Sequence, residues 1–158
     1  HLGATTLAVV YGHGGDLVRE RIQGDYIQWA LQAEQKGTGH AVAQAIELAP
    51  DDAVVLIAYG DVPLIRSTTL QLLADGLQHV ALCILTTQLS NPTGYGRIVR
   101  NSAGQVQAIV EEKDATPAQR SIQEVNTGFM AARAADFKRW LKQLTPQNAQ
   151  GEYYLTDV

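Results

Sequence analysis

Residues 53–61 read AVVLIAYGD. Residues 53–58 form an unbroken apolar run that ends at Tyr59, Gly60 and Asp61. A run of that length, without polar alternation, predicts a strand covered on both faces. Such strands belong to sheets layered between helices. On the carboxyl side, Leu70, Leu73 and Leu77 make one apolar stripe and predict a helix over 67–78. A further buried strand is expected over 80–87. On the amino side, TTLAVVY (5–11) and YIQWAL (26–31) read as strands, and a helix over 40–48 is stopped by Pro50. Gly12, Gly14 and Gly15 close the first strand. A short helix follows, with Asp16 in an N-cap-like position and Leu17, Val18 and Ile22 on one face. Beyond 87 the texture changes. Strands are expected over 95–99, 106–112 and 123–131, with hairpin chemistry at Asn101-Ser102-Ala103-Gly104. A last helix over 135–144 places Phe137, Trp140, Leu141 and Leu144 on one face, and Pro146 closes it. The alternating first half implies parallel strands joined by right-handed crossovers, and the strand-rich second half implies an antiparallel portion. The expected class is α/β with a mixed, mostly parallel sheet.

Length and composition narrow the function. A chain of 158 residues is one domain's worth and buries roughly 70% of its unfolded surface, so it needs no disulfide or metal to fold. Apolar residues at 46% and charged residues at 18% argue against disorder. A net charge of −4 provides no basic excess for binding nucleic acid by counterion release. Cys83 is the single cysteine, which excludes a multi-cysteine zinc site and an internal disulfide framework. Its apolar strand suggests a buried, inert thiol. No apolar run approaches the roughly 20 residues of a membrane span. No signal peptide is evident, and a soluble, cytoplasmic domain fits these features. His1, His13, His40 and His79 lack metal-ligand spacing, and no G-x-S-x-G elbow is present. Trp29 and Trp140 are expected in the core.

Three places could carry chemistry. QAEQKGTGH (32–40) follows a strand and opens a helix, where glycines allow close backbone approach and free N–H groups favour oxygen acceptors, which reads as a nucleotide contact. An ordinary β-to-α turn explains it equally. Asp61 leaves the carboxyl end of a buried strand, where ligands of open α/β sheets bind and where one carboxylate plus phosphate oxygens can hold Mg²⁺. Capping of a turn or of the next helix is the alternative. The third place is the group Gly96, Glu111 and Asn126, from GYGRI, EEKD and NTG. Gly96 permits close backbone approach, while Glu111 and Asn126 can hydrogen-bond sugar hydroxyls or an amide. A solvated charge run and a core hydrogen bond are the plainer explanations.

At these segments the chain resembles a known family. QAEQKGTGHA, YGDVPL, NPTGYGRI, VEEKDA, EVNTG and NAQGEYYLTD, in order and through essentially the whole chain, are similar to the uridyltransferase domain of bacterial bifunctional N-acetylglucosamine-1-phosphate uridyltransferase/glucosamine-1-phosphate acetyltransferases. The resemblance implies a Rossmann-like nucleotidyltransferase fold. It also implies transfer of uridylate from UTP to N-acetylglucosamine 1-phosphate, giving UDP-N-acetylglucosamine and pyrophosphate. It assigns Gln32, Gly37 and Thr38 to the uridine part. Tyr59, Gly60 and Asp61 fall where nucleotide, sugar and metal meet, with Asp61 as the Mg²⁺ ligand. Gly96, Glu111 and Asn126 hold the N-acetylglucosamine group. No nucleic-acid or membrane partner is implied, and a homotrimer is expected only of the intact protein.

The departures from the family pattern matter as much. A glycine-rich L-x-x-G-x-G-T-R-M segment should precede residue 1, and a second metal ligand, an asparagine, should lie beyond 158. A β-helical acetyltransferase domain should follow. Residues 1–158 are therefore expected to be the central part of one uridyltransferase domain, cut at both ends, with little or no turnover alone. Two other functions stay open on the residues. One is a nucleotidyltransferase for another sugar phosphate or a cytidine nucleotide. The other is a non-catalytic sugar-nucleotide-binding module.

Overall fold

The structure, a computed structural model, describes residues 2–22 and 24–158. His1 lies outside them. In chain order the elements are β1 (Leu7–Tyr11), α1 (Asp16–Arg21), β2 (Ile27–Leu31), α2 (Thr38–Ala45), β3 (Val54–Ile57), α3 (Ser67–Gly76), β4 (Leu82–Gln88), β5 (Arg97–Arg100), β6 (Val106–Val110), α4 (Pro117–Arg120), β7 (Glu124–Arg133) and α5 (Ala134–Leu141). Short 3-10 turns lie at Ile46–Leu48 and Leu155–Asp157.

The middle of the apolar run, Val55 to Ile57, lies between two apolar layers, while Val54 is 47% exposed and Ala58 is exposed at its ends. Strand residues alternate between two apolar clusters. Leu56 of β3, Cys83 and Leu85 of β4, and Phe129 and Ala131 of β7 face one of them, to which α3 adds Leu70 and Leu73 and its C-cap residue adds Leu77. Val55 and Ile57, Leu82 and Ile84, and Met130 and Ala132 face the other, which is closed by Val42 of α2, Phe137 of α5 and Leu155. With apolar cover above and below, the period-two signal of a half-exposed strand has no reason to appear in these segments.

The sheet is mixed, and its directions follow the chain order better than its pairings do. β1 and β2 form a parallel pair. In the five-stranded sheet, β3, β4 and β5 are each antiparallel to β7 and so run one way, while β6 is antiparallel to β5 and runs with β7. The β3–α3–β4 crossover makes β3 and β4 codirectional, as the alternation implied, but β7 lies between them and takes both sets of hydrogen bonds. The ladders of this sheet are therefore antiparallel although three of its five strands share a direction. α2 packs on β1 and β2 and also on α5, which ties the two sheets together.

Local chemistry explains most boundaries. α2 begins at Thr38, two residues before the expected start, because Gly37 takes φ +106 as its N-cap. Gly15 caps α1, and Asp16 is its first helical residue rather than its cap. Leu17 and Val18 are exposed, so the expected apolar face of α1 is not buried in the described structure. The hairpin forms as expected. Asn101 Oδ1 accepts the N–H groups of Ala103 and Gln105, and Gly104 supplies φ +79. α4 was not expected from the sequence. Thr116 and Gln119 form a reciprocal capping box around Pro117.

Candidate functional site

The carboxyl end of β3, the start of α2, the loop before β5, the end of β6 and the middle of β7 converge on one cleft of about 220 Å³. Thr38, Tyr59, Gly96, Glu111 and Asn126 all line it, together with Tyr95, Gly128 and Thr156. Residues up to 118 apart in sequence, from Thr38 to Thr156, thus share one wall system.

β7 creates the central feature. Between the pairs Ile84↔Met130 and Thr86↔Asn126 its register slips, so that it holds two extra residues opposite β4. Thr127 Oγ1 donates to Leu85 O (2.7 Å), and Gly128 adopts φ +84. A bulge of this kind re-aims a side chain out of the ladder. Here it turns buried Asn126 toward the cleft. Its Oδ1 accepts the Gly128 N–H (3.0 Å), and its backbone N–H donates to Gly96 O (2.8 Å). The Tyr59 ring lies over Gly128, where any Cβ would collide with it, and packs edge-on against Phe129. Asn126 thus makes a local hydrogen bond through its oxygen and lines the cleft.

The segment 153–156 fastens opposite walls. Tyr153 N–H donates to Lys36 O and Gly39 N–H to Tyr153 O, both at 2.8 Å. Leu155 N–H donates to Thr38 Oγ1 (3.1 Å), and Thr156 Oγ1 donates to Glu111 Oε1 (3.0 Å). Glu111 follows β6, and its Oε1 stands 3.2 Å from where a Cβ on Gly96 would lie, so a side chain at 96 would press on the carboxylate. Burial pushes the Glu111 carboxyl above the usual carboxylate range. The Thr156 hydroxyl pulls it back, and Asp157 and Asp114 push it further up. Tyr59 is raised by burial first, then by Glu111 and Asp61.

Gln32 and Gly37 are not among the residues that line the cleft. Gln32 Nε2 reaches Gly37 O (3.1 Å) and His40 Nδ1 (3.0 Å), which shapes the loop into α2. Gly60 and Asp61 continue from Tyr59 along an exposed turn. The EEKD run divides: Glu111 faces the cleft, Glu112 pairs with buried Arg97, and Asp114 accepts the Ala149 N–H. Cys83 is half-buried with its thiol pushed up by burial, and Trp29 is half-buried against Tyr11 rather than deep in a core. Thr156 was not singled out in the sequence, where only its place in the YYLTD segment marks it.

The lining contains no lysine or arginine among the described residues. An anionic ligand beside Glu111 would meet repulsion unless a cation intervened; Asp61 lies outside the lining, on the turn that follows Tyr59. No group of three or more His, Cys, Asp or Glu side chains gathers among the described residues. Asp61 is an exposed carboxylate with no ion pair among them. That donor set fits Mg²⁺, which takes one or two carboxylates and fills its shell with phosphate oxygens and water. It does not suit an all-protein metal cage.

Residues 7–153 match the family model described as nucleotidyl transferase. Over 157 residues the chain is 57% identical to the bifunctional protein GlmU of Marinobacter nauticus, covering 99% of this chain and 35% of that protein. The chain thus spans about a third of that relative's length. Among solved structures it resembles a UDP-glucose pyrophosphorylase complexed with UDP-glucose, at TM-score 0.78 and 15% identity, over 99% of this chain and 68% of that one. An apo UDP-glucose pyrophosphorylase is similar at TM-score 0.75 and 14% identity, with the same coverage. At those identities the likeness is one of fold.

Proposed function

The chain belongs to the nucleotidyl transferase family, and on that premise we propose that it forms the middle of a uridyltransferase domain. The proposed reaction joins UTP and N-acetylglucosamine 1-phosphate to give UDP-N-acetylglucosamine and pyrophosphate. The observation that carries this is the convergence of Thr38, Tyr59, Glu111 and Asn126 on one cleft with Gly96 in its wall. The 57% identity to the bifunctional relative and the motif resemblance support the choice of substrates. The whole protein's homotrimeric assembly and cytoplasmic location belong to the same proposal.

The sugar phosphate attacks the α-phosphorus of UTP in line, and pyrophosphate leaves. A phosphate dianion is already a nucleophile, so the chain's residues position and polarise rather than form a covalent bond. Glu111 accepts from a sugar hydroxyl, and the free Asn126 amide donates to the acyl oxygen. Gly96 leaves room for the substituent. Thr38 and the loop from Gln32 to Gly37 face the uridine side, and Tyr59 closes the floor. Asp61 would hold Mg²⁺, which when bound offsets the charge on the phosphates. In a cleft without basic side chains that charge must otherwise be balanced from elsewhere.

Asp61→Asn in the full-length protein tests the assignment. The turnover number divided by KM should fall by about 100-fold, as for loss of one preorganised electrostatic group. A loss under about tenfold would remove Asp61 from the metal role. A panel of sugar phosphates with UTP and CTP, run on the unmutated protein, separates this reaction from that of another nucleotidyltransferase. Binding of UDP-N-acetylglucosamine without turnover would mark a binding module.

A further inference from the structure

Arg97 is the first residue of β5 and is only 1% exposed, although it carries a charge. Burying a guanidinium is unfavourable unless its donors are matched. Its Nη2 donates to Glu112 Oε2 (2.6 Å) and to Arg120 O (3.4 Å), and its Nη1 donates to Tyr95 O. Its Nε is buried with no partner. Glu112 Oε2 also accepts the Gly94 N–H (3.3 Å), and Arg120 Nε donates to Glu112 O (3.3 Å). Arg97 pulls the Glu112 carboxyl below its usual range. One ion pair therefore grips the 94–96 loop, the end of β6 and the end of α4.

Two of those three segments are cleft walls. Gly94, Tyr95 and Gly96 line the cleft, and so does Glu111, the immediate neighbour of Glu112. Glu111 turns inward and Glu112 turns outward to Arg97. The outward pair thus sets how far Gly96 stands from the Glu111 carboxylate. We propose that Arg97 and Glu112 are positioning residues that fix this Gly96–Glu111 gap and so set the cleft's selectivity for the sugar half of its substrate. The substrate part of this inference rests on the function proposed above, while the positioning part does not.

Arg97→Lys, Arg97→Ala and Glu112→Gln in the full-length protein test it. A lysine keeps the charge but cannot reach three segments with one planar fork. Glutamine at 112 keeps an acceptor for Gly94 and is the milder change, informative even if Arg97→Ala does not fold. KM for the sugar phosphate should rise by about 10- to 100-fold in Arg97→Ala, the scale of a small misplacement, with KM for UTP changed less than about threefold. Arg97→Lys and Glu112→Gln should fall between it and wild type. Arg100→Ala is the control. Arg100 binds Glu124 through two hydrogen bonds at the other end of β5, in a separate groove, and its loss should lower stability without splitting the two KM values. Equal changes in both KM values, or a split in Arg100→Ala as large as in Arg97→Ala, would overturn the proposal. A readout independent of catalysis is the ¹⁵N–¹H spectrum of the full-length protein with Glu112→Gln. The amides of Gly96 and Glu111 should shift along with Gly94. Movement of Gly94 alone would refute the positioning role even if the uridyltransferase reading failed.

Discussion

Glu111 lines the cleft as a half-buried carboxylate, and that burial acts against stability. Burial raises its folded pKa, so between its unfolded and folded values the native state holds more protons than the unfolded chain. Stability therefore falls as pH rises through that window and is best below it. Asp157 is raised in the same sense, by burial and then by Asp114. We expect Glu111→Gln to raise Tm relative to wild type, and to do so more at pH 8 than at pH 4, as thermal denaturation at both pH values will show. An advantage at pH 4 as large as at pH 8 would place the cause outside ionisation. Glu111→Ala should impair use of the sugar phosphate more than binding of UTP, and equal losses would contradict the role given to it. At this scale the sequence was informative where residue type and local setting agreed. Gly96 before β5 was legible as a residue of the cleft wall, whereas Asp61, flagged after an apolar strand, lies on an exposed turn outside the lining. The different fates of Glu111 and Glu112 were not legible, because adjacent residues leaving a strand face opposite ways and only the fold says which side holds the cleft.

Among the elements, β7 does most to build the site. Its ten residues pair with β4 along one edge and with β3 and β5 along the other, and its bulge at Thr127 and Gly128 turns Asn126 toward the cleft. Gly128→Ala puts a Cβ at φ +84 and against the Tyr59 ring. The backbone conformation alone should cost about 1–3 kcal/mol, read from urea denaturation, and the displaced ring should perturb tyrosine fluorescence. If stability is unchanged, the bulge is not held as described. The sequence EVNTG marked a polar interruption in an apolar strand but not a bulge, since a glycine within a strand is also compatible with a regular ladder. α4 escaped notice for a different reason. It has only four residues, and its signal lies in the capping pair Thr116 and Gln119 rather than in any apolar period.

For the whole molecule, stability is concentrated around β7. Phe137 is fully buried against Met130, Ala132 and Leu155 in the cluster that also backs the cleft. Phe137→Ala should lower unfolding free energy by about 3–5 kcal/mol, measured by chemical denaturation. Leu7 and Ala8 of β1 are exposed, and Leu31 of β2 is 52% exposed. Amides of the β1–β2 pair should therefore exchange with deuterium well before those of β7, and the reverse order would deny that β7 is the stable centre. The amino-acid sequence by itself determined the α/β class, the common direction of β3 and β4 and the apolar faces of α3 and α5. Each of these follows from periodicity and chain order within a few turns of backbone. Tertiary structure alone decided that β7 enters between β3 and β4, that Thr156 fastens Glu111, and that Arg97 braces the wall Glu111 belongs to. Those contacts join residues distant along the chain, and no local propensity encodes which distant partner fills a given space.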